Sequence, residues 1–232
     1  ANMIRQLLGQ LTSADWIALC VFLASWIGYS RIADHGIGER IGLVGASHRH
    51  RLEWARRLME RDNRIADSAL VGNLLSSVSF YANTTIYIIA GLLAVMGTLD
   101  KVISVTADLP FAREVSRELW EVKVLLLLAV FVVAYFKFTW SIRQFNFLSI
   151  LIGASPESGA DAAERERHAQ RIARVNSYAG DEFNRGIRAY YFGLAAVSWF
   201  VHPWMFIALT AMIVLVMARR DFASPTLAVL RE

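Results

Sequence analysis

Long apolar runs separated by short charged stretches organise this chain. The first run, about Asp15 to Ile32 (DWIALCVFLASWIGYSRI), has Trp16 and Tyr29 near its ends, where aromatic residues favour a membrane–water boundary. The second, about Ser68 to Gly97, is longer than one bilayer crossing needs. The third runs from about Leu119 to Ile152. At 1.5 Å per residue that is roughly 50 Å of helix against a hydrocarbon thickness of ~30 Å, so it must tilt, bend or project. The last, RAYYFGLAAVSWFVHPWMFIALTAMIVLVMARR, reads either as one long kinked helix or as two short spans. Trp199 and Trp204 flank His202-Pro203, a pattern that suits a tight turn at an interface. The expected fold is therefore an all-α polytopic membrane helical bundle of about five spans, with four possible. The spans fall at about 15–32, 68–97, 119–140, 184–201 and 204–218, in a single membrane domain over 1–232.

The charged stretches are also helical in pattern. Across about 48–67, Leu52, Ala55, Leu58, Met59, Ile65 and Ala66 recur near the helical period. Ser155-Pro156-Glu157 reads as a start signal for a helix over about 156–180. After it, Ile172, Val175, Ala179 and Phe183 form a stripe towards the fourth span. These segments are expected to prolong the spans, so that the long second and third helices extend into a cytoplasmic helical layer.

Charge sets the orientation. Under five spans with the amino terminus outside, sixteen Arg fall in the three cytoplasmic segments and four Arg or Lys (Arg5, Lys101, Arg113, Arg117) outside. That is the positive-inside pattern, with the carboxyl terminus cytoplasmic. Four spans would place Arg219 and Arg220 outside and weaken it. At 56% hydrophobic residues and a mean hydropathy of +0.40, the chain carries more apolar side chain than a soluble protein of its size. The opening ANMIRQ has no basic region or cleavage site of a signal peptide, and Met3 reads as the natural start. Cys20 is the one cysteine, so no disulfide forms within the chain.

Polar residues inside apolar runs are the candidates for chemistry. In the second run Asn73, Ser77, Phe80, Thr84 and Tyr87 share a helix face, with Ser76 and Asn83 beside it. Asparagine in a membrane needs a hydrogen-bond partner. This face is read either as a helix–helix interface or as the polar wall of a pore, and in a symmetric ring it serves as both. The stretch YFKFTWSIRQFNF, Tyr135 to Phe147, sets Lys137 and Arg143 among six aromatic residues. Lys137 comes about 25 Å along the axis from Trp120, near the inner hydrocarbon boundary. It reads either as a snorkelling cation within an aromatic belt or as one that faces inward onto an anion or carboxylate. Lys123 has the same two readings at the outer end, with Glu118 and Glu121 as ready partners. Arg61 and Arg64, in ERDNR before the second run, are candidates for an ion-binding vestibule or gate, against a solvated helix face. His48 and His50 lack a third ligand nearby, so no metal site is expected. No phosphate loop, nucleophile elbow or zinc-pair motif occurs, so neither an enzyme nor a cofactor is expected. An intramembrane enzyme is the remotest reading.

The stretches RDNRIADSALVGNLLSSVSFYANTTIYIIAGLLA, YFKFTWSIRQFNF and AYYFGLAAVSWFVHPWMF resemble the domain-of-unknown-function family five-nine-nine. These are small bacterial membrane proteins with plant relatives. The resemblance covers most of the chain. It implies an integral membrane protein, here of a bacterial inner membrane, and transfers no activity or catalytic residue. The residues themselves suggest a homo-oligomeric ion channel or channel-like transporter favouring anions. The alternative is a non-conducting structural or regulatory membrane protein that binds lipid or a protein partner. Expected partners are membrane lipid, other copies of the chain and small ions, and no nucleic acid.

Overall fold

The computed structural model describes residues 11–107, 116–157 and 159–231. The outer-side charges Arg5 and Arg113, and Met3, lie outside the described residues. Every regular element among those described is a helix: α1 (Ser13–Asp34), α2 (Ile37–Ile41), α3 (Leu43–Met59), α4 (Ile65–Gly97), α5 (Leu99–Ala107), α6 (Arg117–Gly153), α7 (Ala162–Val197), α8 (Pro203–Ala223) and α9 (Pro225–Val229). A 3₁₀ turn at Ser198–Phe200 separates α7 from α8.

Three helices, α1, α4 and α6, are long and apolar enough to cross a membrane. Their bounds lie within a few residues of the first three apolar runs, about 15–32, 68–97 and 119–152. The expected spans at 184–201 and 204–218 fall on the second half of α7 and on α8, which are not among those three.

Two boundaries differ from expectation. The segment over 48–67 does not prolong α4, because α3 ends at Met59 and Glu60 to Arg64 break the helix. The helix expected over about 156–180 begins at Ala162. Asp161 supplies the cap, its Oδ2 accepting the backbone N–H of Ala163 (3.1 Å) and Glu164 (3.3 Å). From there α7 runs without interruption through the expected cytoplasmic segment and on into the expected fourth span. Its end is chemical. Pro203 has no N–H to donate and fits only the first turn of a new helix, so the chain turns through Ser198–Phe200 and restarts.

Packing divides the chain into two compact units. One comprises Ala1–Ser30, Thr84–Ala134 and Ile187–Met217. Its core is aromatic: Phe22 meets Phe192 edge-on at 5.6 Å and Phe206 at 5.0 Å, and Trp199 stacks on Phe206 at 5.5 Å. Such pairs are worth about 0.5–1.5 kcal/mol each beyond their buried area. Two polar pairs lie within this unit. Asp15 accepts Trp199 Nε1–H at 2.8 Å, and the hydroxyls of Thr85 and Tyr190 lie 2.7 Å apart.

The other unit comprises Arg31–Asn83, Tyr135–Gly186 and Ala218–Glu232. A second aromatic cluster holds it, with Tyr81, Phe138 and Phe183 at centroid distances of 5.5–5.8 Å. Ser141 Oγ donates to the Ala179 carbonyl at 2.7 Å, tying α6 to α7. The turn from α1 into α2 depends on Gly36, whose φ of 60° suits glycine, and on Gly38, where any side chain would strike the Ala33 carbonyl.

Candidate functional site

Sequence reasoning singled out two groups of residues, a polar face on α4 and a set of cations, and the structure treats them differently. On α4, the residues buried in the second unit are Asp67, Val71, Val78 and Ala82. Asn73, Ser76, Ser77, Phe80 and Asn83 point the other way and are exposed. Ser77 Oγ donates to the Asn73 carbonyl at 3.1 Å, satisfying the hydroxyl within its own helix. The part of α4 in the first unit buries Thr85, leaves Thr84 half-buried and exposes Tyr87. The polar face is therefore turned outward from the chain's own packing. α4 is also the least covered of the three apolar helices: 17% of its most apolar window is buried, against 39% for α6.

The cations of the second unit are mostly engaged. Lys137 Nζ, on α6, lies 3.0 Å from Glu182 Oε2 on α7. Glu182 Oε1 also accepts from Arg185, and Arg185 Nε donates to Asp34 Oδ2 at 2.8 Å. Four charges from three helices thus alternate in sign and cancel. Of the two sequence readings of Lys137, the geometry is that of pairing with a carboxylate. Glu182 and Arg185 escaped the sequence reading. Their spacing of three on a helix and their place beside the Ile172–Phe183 stripe were the available signal.

Arg61 and Arg64 hold the α3–α4 break together. Arg61 donates to Asp67 Oδ1 at 2.7 Å, and Trp54 Nε1–H donates to the same atom at 2.7 Å. Asp67 is fully buried. Arg64 donates to the carbonyls of Ser155 (3.3 Å) and Pro156 (2.7 Å), just past the end of α6. His48 Nε2 lies 3.0 Å from Asp181, and His50 Nε2–H donates to the Leu230 carbonyl at 3.0 Å. Burial pulls the Arg51 guanidinium below its ordinary range, and the nearby Asp181 pulls it back up.

Arg143 is different. It is exposed, its guanidinium lies 5.6 Å from the Phe147 ring centre, and it enters no ion pair among the described residues. Lys137, Trp140, Arg143, Asn146 and Glu182 line an open cleft of about 700 Å³.

Of its two readings, Lys123 follows the inward one. It is buried, with its ammonium 5.6 Å from the Trp199 ring centre and 5.9 Å from that of Phe200. Glu121 accepts from Arg117 at 3.1 Å. The cause is helical phase. Lys123 lies one turn from Trp120, whose ring packs on Phe200 at 4.8 Å, so both side chains face the packed side.

An all-α fold with three helices long and apolar enough to cross a membrane is compatible with a membrane protein. The chain belongs to the family described as protein of unknown function, DUF599, which matches residues 17–226. No curated protein and no solved structure matches it.

Proposed function

We propose that the protein is a homo-oligomeric, channel-like conductor of small ions, with the polar face of α4 lining the shared path. One observation supports this reading above the others: Asn73, Ser76, Ser77 and Asn83 are exposed on the outside of a helix apolar enough to cross a membrane. An uncovered amide in hydrocarbon is costly. Copies arranged around a symmetry axis would supply either hydrogen-bond partners or a water-filled lumen. Any anion preference rests on Arg143 rather than Lys137, because Glu182 cancels the lysine. Arg61 and Arg64 act as a gate only if they release Asp67 and the Ser155 and Pro156 carbonyls. Ion flux into liposomes tests the reading, with Asn83→Leu as the variant. Strongly reduced flux from a variant that still assembles is expected. Unchanged flux removes α4 as the pore wall.

A second reading is favoured by a separate observation. Lys137, Arg61 and Arg64 are all consumed by internal partners, as befits a structural or regulatory membrane protein that conducts nothing. An intact oligomer without flux would select it.

A further inference from the structure

The two cations of the aromatic stretch have separate fates, and the difference marks a site. Lys137 is neutralised by Glu182 at 3.0 Å. Arg143, six residues further along α6, enters no ion pair among the described residues. It opens onto a cleft of about 700 Å³ shared with Trp140 and Asn146, one turn to either side on the same helix face. The indole N–H of Trp140 and the amide of Asn146 donate to no group among the described residues. Glu182 is the cleft's one carboxylate, and it is turned onto Lys137 and Arg185.

Depth narrows the ligand. Taking Trp120 as the point of entry, Arg143 lies roughly 35 Å along α6, beyond a hydrocarbon core of ~30 Å and within the headgroup layer. The neighbours on the same exposed face, Phe136 before and Phe147 after, are apolar and uncovered. A guanidinium with two neutral donors between apolar flanks suits a phosphodiester whose acyl chains run along the helix. With no carboxylate free for a headgroup ammonium, charge complementarity favours a lipid of net negative charge.

We infer that the Arg143 cleft, with Trp140 and Asn146, binds the phosphate of an anionic membrane phospholipid. The site stands whether or not the protein conducts ions.

The test is retention of phosphatidylglycerol or phosphatidylcholine by the purified full chain, read by native mass spectrometry from mixed micelles. The wild type is expected to retain phosphatidylglycerol in preference to phosphatidylcholine. Arg143→Gln should lower that retention by about tenfold, in the range of one lost charge-assisted bond. Arg143→Lys should restore part of it, since lysine keeps the charge and loses the fork. Arg56→Gln, which removes an exposed cation paired with Glu166 outside the cleft, should leave retention nearly unchanged. Equal retention of both lipids, or a folded Arg143→Gln that retains phosphatidylglycerol like the wild type, would overturn the assignment. Displacement of the lipid by millimolar inorganic phosphate would make the ligand the free anion and overturn the lipid assignment too.

Discussion

Lys137 on α6 and Glu182 on α7 form an ion pair at 3.0 Å, and Glu182 shares its other oxygen with Arg185. The two partners are not equivalent. Removing Lys137 leaves Glu182 still matched by Arg185. Removing the carboxylate leaves a half-buried ammonium without its counter-charge. Glu182→Gln is therefore expected to destabilise the protein more than Lys137→Met. The loss should be about 1–3 kcal/mol, between the surface and buried limits for ion pairs. Thermal unfolding in detergent checks the order. A larger loss from Lys137→Met would mean that the lysine does more than pair.

Gly186 and Gly180 test how tightly the helices approach. A Cβ on Gly186 would come within 2.5 Å of the Phe138 ring, a rigid neighbour in the aromatic cluster. A Cβ on Gly180 would meet the tip of the Arg51 side chain, which can swing aside. Alanine gains about 1 kcal/mol of helix propensity at either position. Overpacking costs about 1–3 kcal/mol, chiefly at Gly186. Gly186→Ala should therefore lower the melting temperature more than Gly180→Ala. Phe138→Leu added to Gly186→Ala should recover part of the loss.

Asp67 is fully buried and gathers both Trp54 and Arg61 onto one oxygen. Asp67→Ala removes both bonds and strands a half-buried indole N–H, which costs about 1 kcal/mol for the unmet donor alone. Arg61→Gln leaves Trp54 paired. Limited proteolysis around Glu60 to Arg64 should accelerate strongly in Asp67→Ala and only slightly in Arg61→Gln. Equal acceleration would mean that the ion pair, not the indole bond, closes this break.

The first three apolar runs were legible because length and hydropathy alone mark a membrane helix. Their observed ends differ by only a few residues from the pattern, as with Ile65–Gly97 against 68–97. The break after α3 was not legible, because the apolar spacing from Leu52 continues in phase through Ile65 and Ala66. What stops the helix is the demand of Asp67, Trp54 and Arg61 for one another, a tertiary effect. The start of α7 was misread for a related reason. Ser155-Pro156-Glu157 has the chemistry of a helix start, but the Ser155 and Pro156 carbonyls are taken by Arg64 and Asp161 makes the cap. On α4 the polar face was visible as a period of three and four, whereas its outward direction depends on which face the neighbours cover. Glu182 went unseen because its spacing of three from Arg185 fits a solvated helix face as well as a carboxylate aimed at a lysine on another helix.

The central claim is that another copy of the chain covers the polar face of α4. Cysteine cross-linking in membranes tests it most directly. Cys20 is the one native cysteine, so Cys20→Ser gives a silent background. In that background Asn73, Ser76, Ser77 and Asn83 are replaced by cysteine one at a time, with Ile27→Cys on the exposed side of α1 as control. A disulfide forms only where Cα atoms approach within about 7 Å. The account predicts covalent dimers on oxidation from at least one of the four α4 positions and none from Ile27→Cys. Monomers at all four positions, or cross-linking no greater than at Ile27→Cys, would contradict it.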